Sequence, residues 1–239
     1  MSSVVETEHD KEHGLVAHHF ENLDQQRDAN ALGMWLFLGS EILFFGAVFT
    51  AYAVMRSLQG DGFTLACRQL DATLGGVNTA VLLTSSLSMA LAVWAAQAKN
   101  RKMLQLCLAL TVFFGSAFLA VKGYEWHHEY VEGLVPGPGE EFGKRPDGEP
   151  TEYKDIRSAI TPEQAKGMQM FFVFYFIITG LHALHMIVGL GVLGVQWVMT
   201  MRSDFGIADY GPIEVAGLYW HFVDVVWIFV FPLLYLLRN

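Results

Sequence analysis

Charged side chains are scarce in this 239-residue sequence. They make up 16% of it, whereas hydrophobic residues make up 53%. An average soluble domain has about 25% charged and about 45–50% apolar residues. The apolar residues stand in long runs with few charges, and not at the spacing of an amphipathic helix or strand. The sequence therefore predicts a single helical bundle that folds within a lipid bilayer.

Cysteine is also scarce, and the sequence has no excess of basic residues. The two cysteines, Cys67 and Cys107, are spaced neither like metal ligands nor like a disulfide framework, so we interpret both as structurally incidental. The formal net charge is -9. Nucleic-acid binding requires a basic surface, so nucleic acid is not expected as a partner.

Residues 1–30 are polar and acidic, and they contain no apolar segment typical of a signal peptide. We therefore interpret them as a polar tail, and we expect the first span to direct membrane insertion. The tail contains histidines that could capture a metal or could simply belong to a solvated segment. They are His9, His13, His18 and His19.

Five segments are long and apolar enough to cross a bilayer, since about twenty helical residues span about 30 Å of hydrocarbon. Backbone groups in lipid must be satisfied within their own segment, so each run is predicted to be a helix. The predicted spans are residues 31–55, 74–98, 103–121, 168–201 and 215–237. The predicted fold class is all-α: a polytopic membrane protein whose residues 31–239 form a five-helix transmembrane bundle.

The connections between the spans differ in length. The short basic link 99–102 predicts an antiparallel hairpin of the second and third spans. Residues 124–166 are polar and rich in proline and glycine, which predicts a long exposed loop. This loop either is merely solvated or docks another subunit.

Ionisable side chains inside the predicted spans are candidate functional residues, because each one is costly in hydrocarbon. Glu41 stands among Leu, Ile and Phe in GMWLFLGSEILFFGAVF, where loss of hydration favours its protonated form. Three roles are open for it: a hydrogen-bonded structural acid, a proton-relay or regulatory group, or an orphan that faces lipid.

The fourth span contains two histidines, His182 and His185, on one helix face. Imidazole is a common metal ligand, but a third ligand would have to come from His221, Asp224 or Glu41. Interhelical hydrogen bonding is the alternative role. Polar groups avoid lipid, so we expect one of these histidines to lie near Glu41 or near the polar pair of the fifth span.

The fifth span contains His221 and Asp224, also spaced to share a helix face. We predict that they form a hydrogen-bonded or ion-paired cluster that faces a neighbouring helix, with Trp220 and Trp227 packed around it.

Five motifs occur in the order found in cytochrome oxidase subunit III, and the sequence resembles this family from about Gly33 to Leu237. Any one motif alone would be weak, but the ordered set is specific. The motifs are GMWLFLGSEILFFGAVFTAY with Glu41, GGVNTAVLLTSS with Asn78, Thr79 and Ser85, FLAVKGYEWHHE with Glu125, YFIITGLHALHMIVG with His182 and His185, and LYWHFVDVVWIFVF with Tyr219, Trp220, His221, Phe222, Asp224 and Trp227.

The resemblance implies a non-catalytic core subunit of a bacterial haem-copper terminal oxidase, in the short five-span form. Such an oxidase reduces dioxygen to water and pumps protons. The implied partners are oxidase subunits I and II, membrane lipids and further respiratory complexes. Haem and copper are expected in the partner subunits and not in this chain, which lacks the ligand patterns of both, while bound phospholipid is compatible with it.

The implied role is to support the integrity of subunit I and its proton uptake. The implied location is the bacterial inner membrane, with the N-terminus cytoplasmic and the C-terminus periplasmic. Glu41 matches the intramembrane glutamate of the family, and Glu125 matches an acidic position near the membrane surface. The long loop favours a cytochrome c oxidase. A quinol oxidase subunit III, a family member associated with nitric oxide reductase, and a stand-alone proton or metal transporter remain alternatives.

Overall fold

The computed structural model describes residues 20–136, 160–203, 205–207 and 209–237. All regular structure in this part of the chain is helical, and five helices are long and apolar enough to cross a membrane. The prediction of an all-α bundle with five spans is confirmed. The helices are α1 (Leu23–Leu58), α2 (Gly60–Gln69), α3 (Ala72–Gln97), α4 (Arg101–Val131), α5 (Pro162–Arg202) and α6 (Gly211–Phe231), and a short π-helix (Pro232–Leu236) continues α6.

Polar side chains fix the starts of four of the long helices. Asn22, Asp71 and Asn100 precede α1, α3 and α4, and each accepts hydrogen bonds from backbone N–H groups of the first turn. A reciprocal pair of bonds between Thr161 and Gln164 starts α5. Short polar signals therefore separate the apolar runs into discrete helices.

The long helices alternate in direction. Arg27 near the start of α1 bonds Asp209 just before α6, with 2.8 Å between Nε and Oδ1. Arg101 at the start of α4 donates to the Thr200 carbonyl near the end of α5, at 3.0 Å. These contacts define the N-terminal end of the bundle, and the opposite end, which contains the π-helix, is the C-terminal end. The predicted hairpin at the link 99–102 is formed by α3 and α4.

The third spanning helix is longer than predicted. α4 continues to Val131 instead of ending near residue 121, so it takes up the start of the predicted loop 124–166. Its last turns carry Lys122, Glu125 and Glu129 on one buried face. Charged residues mark a helix end only when they face water, and here they face the bundle.

Other boundaries also differ from the prediction. α1 begins at Leu23, inside the segment 1–30 that was interpreted as a tail, because Asn22 provides a cap. α5 begins at Pro162, so the predicted loop is also shorter at its far end. The short α2 was not predicted, since it is too polar to read as a span. The four histidines of the tail and the middle of the loop lie outside the described residues.

α1 is the peripheral helix of the bundle. Only 11% of its most apolar window is buried inside the protein, against 33% to 44% for the other four spans. It contacts α5 and α6 mainly through one face, on which Leu38, Phe45 and Tyr52 are buried. The position of α1 therefore depends on a few specific contacts.

Candidate functional site

Glu41 and His185 are in contact between α1 and α5, about halfway along α1. Their side chains join α1 to α5, with 3.2 Å between Glu41 Oε2 and His185 Nε2, and they are 18% and 16% exposed. This is the contact expected between Glu41 and one of the paired histidines. Phe45 packs against the imidazole, with 5.4 Å between ring centroids.

The second ring nitrogen of His185 determines where protons can lie. Nδ1 is 2.8 Å from the carbonyl oxygen of Leu181, which can only accept a hydrogen bond, so Nδ1 carries a hydrogen. The contact between Nε2 and Glu41 then needs one more proton, held either by the carboxyl group or by the imidazole. Glu41 and His185 therefore form either an ion pair or a neutral pair, depending on which group holds that proton.

A second cluster surrounds Lys122 near the C-terminal end. Its Nζ is 3.1 Å from Glu125 Oε2, 3.0 Å from the Tyr175 hydroxyl and 2.6 Å from the Tyr235 hydroxyl. Both tyrosines also donate hydrogen bonds to Glu125. All four side chains are buried, and the three donors of the ammonium group are all used. The cluster ties α4, α5 and the π-helix together.

Only Glu125 of this cluster was predicted, through the resemblance. Lys122, Tyr175 and Tyr235 were missed because the first lies just past the predicted span and the tyrosines read as ordinary core residues. The Lys122 and Glu125 spacing of i, i+3 was the available signal.

Two hydrogen bonds at the C-terminal end of the bundle also hold α1. The Tyr52 hydroxyl donates to the Leu233 carbonyl at 2.7 Å, and Arg56 Nη2 donates to the Leu237 carbonyl at the same distance. The π-helix thus bonds to both α1 and α4.

His182 behaves differently from His185. It is 1% exposed, and neither ring nitrogen has a hydrogen-bond partner in the described part of the chain. It packs between Phe118 and Trp227, with ring centroids 5.5 and 4.9 Å away. No group of three or more His, Cys, Asp or Glu side chains that could hold a metal occurs among the described residues.

His221 and Asp224 do not bond each other directly. His221 Nδ1 instead bonds the Ser86 hydroxyl of α3 at 2.8 Å. Asp224 is buried, and its carboxyl group lies close to the same serine. Both side chains point towards α3, as their shared face requires, but the serine binds the imidazole.

The α3 motif provides hydrogen bonds between helices. Asn78 donates to the Phe118 carbonyl of α4 at 3.3 Å, and Trp227 of α6 donates to the Thr79 hydroxyl at 3.0 Å. Trp220 lies buried against two glycines of α4 and α5. Tyr219 donates to the His185 carbonyl at 2.9 Å, which links α6 to the Glu41 site.

Glu41→Gln should be tolerated, because an amide donor can still bond His185 Nε2. Glu41→Leu should destabilise the docking of α1 by about 0.6 to 2 kcal/mol, the range for interhelical hydrogen bonds in lipid. The comparison is made on thermal unfolding of the purified protein in detergent, with Ile42→Leu as the control at an exposed neighbour. A loss with glutamine as large as with leucine would show that the carboxyl group itself is required.

The fold and these contacts define a polytopic membrane protein whose intramembrane polar residues bond helix to helix. The chain belongs to the cytochrome c oxidase subunit III family, whose model matches residues 11–132 and 161–238. It is therefore a subunit III of a haem-copper oxidase, as the five motifs predict.

Individual relatives agree with this assignment. Cytochrome c oxidase subunit 3 of Alkalihalophilus pseudofirmus is 32% identical over 86% of this chain and 85% of the relative. The Bacillus subtilis subunit is 30% identical over the same shares. A probable quinol oxidase subunit 3 of Staphylococcus epidermidis is 26% identical over 88% of this chain and 90% of the relative.

Proposed function

We propose that this chain is the non-catalytic subunit III of a cytochrome c oxidase, with haem and copper held by partner subunits I and II. It supports the integrity of subunit I and its proton uptake. The main observation in favour is that two pairs of ionisable side chains inside the bundle, Glu41 with His185 and Lys122 with Glu125, are in contact. The Glu41 and His185 site and the Lys122 cluster both hold helices together.

The proposed orientation places the N-terminus in the cytoplasm and the C-terminus in the periplasm of a bacterial inner membrane. The N-terminal end of the bundle carries the basic link between α3 and α4 and the basic end of α5. The basic residues at this end are Lys99, Arg101, Lys102 and Arg202. Short basic connections stay on the cytoplasmic side, which supports this orientation.

A quinol oxidase is the second candidate, favoured by the quinol oxidase relative. The higher identity to cytochrome c oxidase subunits supports the first. Purified complex from native membranes decides between them: reduced cytochrome c should sustain oxygen consumption, and a quinol should not. The reverse result would establish the quinol oxidase.

The isolated chain should bind neither haem nor copper tightly. The physical reason is that its intramembrane histidines lie in separate places: His185 contacts Glu41, His221 bonds Ser86, and His182 packs between Phe118 and Trp227. Visible absorption spectra and metal analysis of the purified chain test this. A haem spectrum or stoichiometric copper in the chain alone would contradict the assignment of both cofactors to partner subunits.

A complex without this chain should keep its haem spectrum and its initial rate, and its activity should decay during turnover as proton supply fails. Oxygen consumption followed over many turnovers measures the decay, and the intact complex is the control. An altered haem spectrum, or a loss of the initial rate, would show that the chain acts on the redox centre directly.

A further inference from the structure

One side of α6 is open between α1 and α3. Tyr219 and Phe222 pack against aromatic rings of α1, with centroids 6.1 and 6.4 Å apart. Gly217, on the other flank, contacts Val93 of α3. We call the surface of α6 between its contacts with α1 and its contacts with α3 the α6 groove. Its floor consists of Leu218, His221, Val225 and Phe229.

His221 places an unsatisfied polar atom in the middle of this groove. Its Nδ1 bonds Ser86, but its Nε2 has no partner in the part of the chain that the structure describes. The side chain is only half-buried, and two exposed apolar residues, Val225 and Phe229, follow it on the floor. Lipid tails offer no hydrogen bond, so a polar group in such a position is costly against lipid.

The N-terminal end of the groove is acidic. A cavity of about 400 Å³ lies between α1 and α6, and Asp24, Asp28 and Glu214 contribute to its lining. Arg27 also lines it, but its guanidinium is already paired with Asp209 at 2.8 Å and with Asp24 at 3.4 Å. The cavity therefore favours a positively charged group.

We propose that the α6 groove docks a transmembrane helix of another subunit of the oxidase. That helix carries a hydrogen-bonding side chain opposite His221 and a lysine or arginine beside Asp28 and Glu214. The proposal rests on the proposed function, since it requires an oxidase complex.

The spacing of the two contacts specifies the partner further. Glu214 and His221 are two turns apart on α6, a rise of about 10 Å. A helix that lies along the groove therefore carries its basic residue about seven positions from its polar residue. A phospholipid could place an ammonium group in the acidic cavity, but its acyl chains have no hydrogen-bonding group at the depth of His221.

Photocrosslinking in the complete complex tests the occupant. A benzoylphenylalanine replaces Val225, which is 47% exposed in the groove, or Ile187, which is 57% exposed on an apolar face of α5. After irradiation in native membranes, Val225 should give an adduct with a transmembrane peptide of another oxidase subunit, and Ile187 should give lipid adducts. A lipid adduct at Val225, or an adduct with a second copy of this chain, would overturn the proposal.

A bulky substitution gives an independent measurement. Val225→Trp should reduce the amount of the other subunits that copurify with this chain at least about fivefold, because an overpacked interface is strongly destabilised. Ile187→Trp should leave it unchanged. Equal copurification of both variants would overturn the proposal. If the unsubstituted chain copurifies with no oxidase subunit at all, the proposed function fails, and this outcome is separate from a misplaced groove.

Discussion

Lys122→Met should destabilise the protein by about 3–5 kcal/mol, the usual cost of removing one partner from a buried ion pair. The substitution leaves Glu125 in the protein interior without its cation, and both tyrosine hydroxyls lose a bond from the ammonium group. Methionine fills a similar volume, so the loss of charge and not of packing dominates. Thermal unfolding in detergent, followed by tryptophan fluorescence, measures the change.

Two further variants isolate the cause of this loss. Lys102→Met removes an exposed lysine at the start of the same helix and should change stability by less than about 0.5 kcal/mol. The double variant Lys122→Met with Glu125→Gln removes both charges and should recover much of the loss, since no buried charge remains unpaired. If Lys122→Met is as stable as Lys102→Met, the buried cluster contributes little to the fold.

Gly62→Leu should cost more than about 3 kcal/mol or prevent folding, because it would force α2 away from α5. A Cβ atom on Gly62 would lie 2.6 Å from the Gly167 Cα atom and 2.7 Å from the Gln164 carbonyl oxygen. Both contacts are with backbone, which cannot rotate away as a side chain can. The yield of folded protein and its unfolding temperature measure the effect.

Gly60→Leu is the matched control for this prediction. Gly60 lies two residues earlier on the chain, and a Cβ atom there meets nothing within 4 Å. Leucine is a better helix former than glycine by roughly 1 kcal/mol, so Gly60→Leu should be neutral or slightly stabilising. Similar losses at both positions would mean that helix propensity, and not the crossing of α2 and α5, determines the result.

The five spans could be predicted because hydrocarbon imposes a strict rule of length and apolarity on the chain. The same rule identified Glu41 and His185, whose presence in a span needs a compensating partner. The rule placed the end of the third span at residue 121, because Lys122 was interpreted as the start of an aqueous segment. The helix in fact continues to Val131. Hydropathy measures the cost of a charge without partners. It contains no information on Tyr175 and Tyr235, which come from distant segments and bond Lys122.

Pairings between helices could not be predicted from one sequence. His221 was expected to bond Asp224, its neighbour on the same helix, but the structure gives it Ser86. A serine in an apolar run carries little cost and gives no signal. Which residue it meets depends on the rotation and depth of α3 against α6. Glu125 was identified only through the family motif.

The polar fastenings of α1 have a consequence for synthesis of the protein. Arg27 bonds a residue 182 positions later in the chain, and Tyr52 bonds one 181 positions later. At about 5–20 residues per second, α1 leaves the ribosome roughly 10 to 40 s before these partners exist. For most of that time Glu41 lies in the bilayer without His185, which makes α1 costly to hold there alone. The first helix to be made can therefore take its final place only after the last helix has been made.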